Sequence, residues 1–249
     1  MAVRLEFPFV TAVLATLLLA TPARADAAGD AAVAAMDAAL NRASTLIFDY
    51  QIYNQELGKP ERILMMKLQA MGPKRLYEFT APADMAGTKL LVLSPTQMYI
   101  YLPAFGKVRR IASHTRDQGF LGLAFSQDDL ATTSYGGEYA GQIASQTPTQ
   151  YLLVLTSRTT PELSYSRIEM TVTKDRMLPL QLKYFNAEGA NTKTESRSGY
   201  SCEGVVCTPG ETKMVDNIKG NSTRLVRMKW QQNVAIPDDV LSVRNLNPP

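Results

Sequence analysis

The sequence predicts a mainly β domain built from strongly curved antiparallel sheet, either a half-barrel or a sandwich. Three observations carry this expectation. From Thr45 onward apolar residues recur with a period of two, as in half-buried strands. Turn signals such as Gly58-Lys59-Pro60, Met71-Gly72-Pro73 and Ser94-Pro95 divide the alternating runs. Only one stretch ahead of them, from Asp30 to about Arg42, has helical spacing.

The first 25 residues read as a secretory signal peptide. Arg4 lies ahead of an apolar run from Val10 to Ala20, and Ala23-Arg24-Ala25 is a small-x-small cleavage site, although Glu6 is unusual there. The run is shorter than the roughly 20 residues that span a bilayer. Cleavage after Ala25 places one exported, soluble domain at residues 26–249, free in the periplasm and without a lipid-bearing cysteine at its start. Removing Arg4, Arg24 and Glu6 from 26 basic and 23 acidic residues leaves 24 and 22. So balanced a chain lacks the concentrated basic face of a nucleic-acid binder.

In the helical stretch Asp30 is a candidate N-cap, and Val33, Met36 and Leu40 form a thin apolar stripe that must pack on something else. Leu46, Phe48, Tyr50 and Ile52 alternate with Ile47, Asp49, Gln51 and Tyr53, and after the first turn Leu64, Met66 and Leu68 alternate with Met65, Lys67 and Gln69. Lys74 to Phe79, Lys89 to Leu93, Met98 to Leu102 and Lys107 to Ile111 continue the meander. From Ala112 to Ser134 no strand pattern exists, and a loop this long in one domain reads as a lid or short helix. Strands resume near Tyr139 and recur at 151–156, 164–173, 180–185, 189–200, 212–217 and 222–230. Pro237 starts a last helical turn near Ile236 to Leu241. The count comes to about ten or eleven strands.

The meander around Phe79 carries a more specific signal. Phe79, Pro82, Asp84, Gly87 and Thr88 precede a strand, and Tyr101, Leu102, Pro103 and Ala104 precede Lys107 to Ile111. This order and spacing resembles the outer-membrane lipoprotein-sorting family, relatives of the periplasmic lipoprotein carriers. Gly122-Leu123-Ala124-Phe125 departs from the family's more frequent Gly-Ser-acid-Phe. The resemblance implies a half-barrel, open on one side and plugged by helices, with an N-terminal helix and a short helical lid covering the concave face.

Catalytic patterns are weak. His114 is the only histidine and no nucleophile elbow, P-loop or dinucleotide fingerprint occurs. No cofactor, no metal and no enzymatic activity are therefore expected. Cys202 and Cys207 enclose Glu-Gly-Val-Val, and in an exported protein the simplest reading of so close a pair is a disulfide.

Soft and branched side chains assigned to inward faces give the candidate cavity wall. They are Phe48, Tyr50, Leu64, Met66, Leu68, Met98, Ile100, Ile168, Met170, Val172, Leu182, Val226, Met228 and Trp230. Lid or gate candidates are Phe120, Leu121, Leu123, Phe125, Asp128 and Asp129, with Arg110 reaching the lid from the face it shares with Val108. The acid pair at 128–129 also suits a helix start. Arg116 belongs to the same basic run as Arg110. The expected function is carriage of a lipid, lipoprotein acyl chains or similar amphipathic cargo towards the outer membrane. The resemblance implies an inner-membrane exporter as donor and an outer-membrane acceptor, with the carrier a monomer. The alternative is a lipid sensor or regulatory binding protein of the same fold.

Overall fold

Alternating runs pair with their sequence neighbours wherever a short turn joins them, and here they pair into one sheet of 13 strands. The computed structural model describes residues 27–112, 119–159 and 163–246. The expected signal peptide, His114 and Arg116 lie outside the described residues. The first meander comprises β1 (Thr45–Gln55), β2 (Arg62–Met71), β3 (Lys74–Ala81), β4 (Lys89–Ser94), β5 (Gln97–Leu102) and β6 (Lys107–Arg110). The second comprises β7 (Tyr139–Gln146), β8 (Gln150–Ser157), β9 (Arg167–Thr173), β10 (Pro179–Phe185) and β11 (Asn191–Ser198). A hairpin of β12 (Ser201–Glu203) and β13 (Val206–Thr208) follows, then β14 (Glu211–Asp216) and β15 (Asn221–Gln232).

Spatially the order is β6-β5-β4-β3-β2-β1-β15-β14-β11-β10-β9-β8-β7. The final strand thus closes against the first, Ile52 opposite Leu225, and joins the two meanders. Edge strands β6 and β7 do not pair, so the sheet is open and no barrel closes. The expectation of ten or eleven strands undercounts the sheet. β12 and β13 come in addition, where Cys202 faces Cys207 directly and the two are disulfide-bonded, Cα atoms 4.0 Å apart.

Helix α1 (Ala27–Leu40) packs its apolar stripe against the second meander, with Val33 and Met36 wholly buried. Its approach to β7 depends on two glycines. A Cβ on Gly29 would lie 2.4 Å from the Gly141 carbonyl oxygen, so only glycine admits this distance. Asp30 lies inside the first turn and is not the N-cap. Its Oδ1 accepts from the Gly141 N–H at 2.8 Å and from Arg158 Nη2 at 2.9 Å, fastening the helix to the sheet.

The main core lies on the concave face, where Phe48, Ile52, Leu64, Phe79, Leu90, Met98, Leu155, Met170 and Leu182 meet. A second, smaller core lies on the opposite face. There Ile236, Leu241 and Leu246 of the C-terminal segment cover Leu76, Leu91 and Tyr101. The turn at Pro237 is present, the Val240 N–H donating to the Pro237 carbonyl at 3.0 Å.

One expected face is broken. Strict alternation puts Val226, Met228 and Trp230 together, but Tyr50 opposes Arg227 while Asp49 opposes Lys229. This β-bulge leaves Met228 without an opposite residue and switches the inward set. Leu225 and Trp230 pack against the concave core, Val226 stands opposite Gln51, and Met228 is 54% exposed. A bulge adds one residue without changing composition, so the pattern of residue types does not reveal it.

Candidate functional site

Between β6 and β7 the described residues 119–131 send their apolar side chains into the concave face. Phe120, Leu123, Ala124 and Phe125 are buried there, Leu121 packs partly against them, and the Phe120 ring lies 6.2 Å from that of Phe79. The turn at Leu121 and Gly122 has positive φ at both residues, and a bridge between Gly119 and Ser126 closes it. Ser126 then caps the short helix α2 (Gln127–Ala131) in a capping box with Asp129. Asp128 and Asp129 occupy its first turn, as expected of helix-start acids.

Between this segment and the sheet lies a cavity of about 230 Å³. Tyr50, Met66, Leu68, Tyr77, Tyr139, Ile168 and Tyr184 line it from the sheet, and Phe125, Asp129, Leu130 and Tyr135 from the covering side. Of the expected wall, Tyr50, Met66, Leu68 and Ile168 are therefore at the cavity. Phe48, Leu64, Met98, Met170, Val172 and Leu182 are core residues behind it, with Ile100 and Trp230 packed at the margin. A second space of about 370 Å³ adjoins it through Thr132, Glu138, Tyr139 and Tyr165, which line both.

The segment is held by polar contacts from several strands. The Tyr77 hydroxyl donates to the Leu130 carbonyl at 2.6 Å. Asn54 Nδ2 donates to the Gly122 carbonyl at 3.1 Å, and the Ala124 N–H to Thr223 Oγ1 at 2.8 Å. Asp128 accepts from Ser164 at 2.6 Å. Asp129 accepts from the Tyr165 hydroxyl at 2.7 Å and forms an ion pair with Lys193 at 2.5 Å, their side chains 3% and 9% exposed. Further along the same face of β11, Arg197 pairs with Glu195 at 2.5 Å, and Glu195 accepts from the Tyr184 hydroxyl at 2.6 Å. Burial, together with the neighbouring Asp129 and Glu195 charges, pushes the Tyr165 and Tyr184 phenols well above their ordinary range. Both remain neutral donors to carboxylates.

The arginine expected to hold this segment does something else. Val108 faces the outer core, and Arg110, on the same side of β6, is exposed and donates to the Thr96 carbonyl at 3.2 Å. The apolar residues of the covering segment belong to the core on the other face of the sheet. Arg109 is likewise exposed, with its guanidinium 5.2 Å from the centre of the Phe105 ring. Arg110→Leu is accordingly expected to change unfolding free energy by less than about 0.5 kcal/mol, as for other exposed positions. Thermal melting of both proteins checks this.

Lys193, Glu195 and Arg197 escape a reading of the sequence alone. They recur every two residues with alternating charge, which is the usual mark of a solvated strand face. Nothing in the composition of β11 marks that face as the inward one, since Thr194 and Ser196 on the other face are polar as well.

The chain is thus an open sheet whose concave side is covered by α1 and by residues 119–131. A family model described as an uncharacterized protein matches residues 72–248, and the chain belongs to that family. A search of curated proteins finds no match. Solved structures agree with the fold. A DUF1329 family protein from Desulfovibrio piger is 23% identical with a TM-score of 0.82, covering 88% of this chain and 98% of its own. A structure from Vibrio parahaemolyticus, described as an outer membrane lipoprotein-sorting protein domain, is 19% identical with a TM-score of 0.80, covering 89% and 99%. A LolA superfamily protein from Nitrosomonas europaea is 16% identical with a TM-score of 0.72, covering 87% and 98%.

Proposed function

We propose that the protein is a periplasmic carrier that shields amphipathic cargo, such as a lipid or lipoprotein acyl chains, on its way to the outer membrane. The observation that carries this reading is a cavity on the concave face covered by a segment of the chain itself, residues 119–131. An apolar chain of about 16 methylenes costs on the order of 12 kcal/mol to expose to water. A protein that covers it needs a wall of apolar and polarizable side chains and a way to open. Met66, Leu68, Ile168, Phe125 and Leu130 supply the wall.

The cavity alone, about 230 Å³, is smaller than the roughly 300–1,000 Å³ of ligand pockets, so a long acyl chain needs the adjoining space of about 370 Å³ or movement of the covering segment. Movement of the segment breaks the buried Asp129–Lys193 pair and exposes Phe120, Leu123 and Phe125, apolar surface that a bound acyl chain can cover in turn. Release then follows affinity differences between an exporter, this carrier and an acceptor, with the carrier acting as a monomer. Binding, not catalysis, is the role of the buried charges, since Asp129 and Glu195 are each paired with a cation and a tyrosine hydroxyl.

Hydrogen exchange tests the lid. On adding a one-chain lysophospholipid, amides at 119–131 are expected to lose protection while β1, β2 and β10 keep theirs. Demonstrable binding with an unaltered pattern at 119–131 would remove the lid from the account. Mass spectrometry of lipids extracted from protein isolated from its own periplasm identifies the cargo.

A further inference from the structure

One end of the cavity is cationic. The antiparallel order brings the start of β3, the end of β11 and the start of β14 to the same end of the sheet, and the wall there contains Arg75, Arg197 and Thr212. Arg227 stands opposite Tyr50 across the β1–β15 pair, and the fields of Arg227 and Arg197 both act on the Tyr50 phenol. Arg197 shares its charge with Glu195 at 2.5 Å. Arg75 has no carboxylate within ion-pair reach among the described residues, and its Nη1 donates to the Gly72 and Lys74 carbonyls at 2.5 and 2.9 Å. The Arg227 guanidinium donates to Thr208 and to the Ser201 hydroxyl, while Glu203 pulls on it only from longer range. Of the two guanidinia in the wall only Arg197 is ion-paired among the described residues, to Glu195; the wall's other carboxylates are Asp129, paired with Lys193, and Glu138 beside Tyr139.

A half-buried cation without a counter-charge is unfavourable, and a guanidinium offers a planar fork that matches carboxylate and phosphate oxygens. Tyr50 adds a hydroxyl at the same wall. Beyond it the lining turns apolar at Met66, Leu68 and Ile168. We propose that Arg75, Arg197 and Tyr50 form a head-group subsite that selects single-chain amphiphiles ending in a carboxylate or phosphate. Burial lowers the pKa of Arg75 and of Arg227, a cost that a bound anion relieves. The inference rests on the carrier reading above and gives it a ligand class.

Titration calorimetry with the exported protein decides it, using hexadecanoate, hexadecyl phosphate, hexadecanol, hexadecyltrimethylammonium and inorganic phosphate, each below its micelle concentration. At least one anionic amphiphile is expected to bind about tenfold tighter than hexadecanol, the ammonium weakest, and the better of the two anions names the head group. Arg75→Gln should narrow the gap between anionic and neutral probes by roughly fivefold, and Arg75→Lys should restore part of it. Equal binding of hexadecanol and the anions overturns the subsite and leaves the carrier standing. Failure of every amphiphile to bind overturns the carrier reading as well. Inorganic phosphate binding as tightly as hexadecyl phosphate makes this a small-anion site and overturns the amphiphile. Should Arg75→Gln fail to fold, Tyr50→Phe carries the test. A selective loss for the anions supports the subsite, and an equal or absent loss across all probes overturns it.

Discussion

Lys193→Met is expected to destabilise the protein by about 3–5 kcal/mol. The lysine's partner Asp129 is almost wholly buried, and removing the cation leaves a carboxylate there with only hydrogen bonds from the Tyr165 hydroxyl and the Ser126 N–H. The loss also has a direction. Asp129 belongs to α2 while Lys193 belongs to β11, so the pair fastens the covering segment to the sheet. Part of the cost should therefore appear as exposure of residues 119–131 at denaturant concentrations where the sheet is still intact. Urea unfolding measured by circular dichroism and by hydrogen exchange of that segment separates the two. The double replacement Lys193→Met with Asp129→Leu should cost less than the two single changes added together, because the buried charge is gone. Strict additivity would show that the two side chains do not act as a pair.

Phe79→Ala is expected to cost about 3–5 kcal/mol, the range for removing a large ring from a packed interior. Phe79 is fully buried at the end of β3, and its ring meets Phe120 of the covering segment. Its backbone also organises the following loop. The Phe79 N–H donates to the Thr88 carbonyl at 2.9 Å, and the Phe79 carbonyl accepts from the Gly87 N–H at 2.8 Å. Alanine keeps those bonds, so the change isolates the ring. Chemical denaturation that found a loss below about 1 kcal/mol would mean the site collapses around the smaller side chain. Phe120→Ala in the same background should then add less than it costs alone, because the two rings share one cavity.

Phe79 was visible in the sequence as the first residue of the family-like pattern, and Gly87 and Thr88 likewise. Each has a local backbone reason, which is why spacing alone identifies them. The period-two runs of β1, β2 and β4 were equally legible, since one face of each strand is buried and alternation is its direct imprint. The helix over the sheet, the close cysteine pair and the absence of strand pattern between Ala112 and Ser134 were read from similarly local signals.

The remaining misreadings share a cause. The apolar Val108 on its face points Arg110 inward in the sequence, but a sheet with cores on both faces gives apolar residues to each side. Which side is concave is set by curvature over 13 strands and by the C-terminal segment that covers the outer core. Val226 and Met228 were misassigned by a single unpaired residue in β15. Lys193, Glu195 and Arg197 looked like a solvated face because their partners, Asp129 and the tyrosines, come from elements up to 64 residues away. By itself the sequence determined the strands, the turns and the family-like loop, all fixed by contacts between near neighbours. Only the tertiary structure decided which face is inside and which charges meet there, because burial and pairing depend on contacts that close after distant strands have joined.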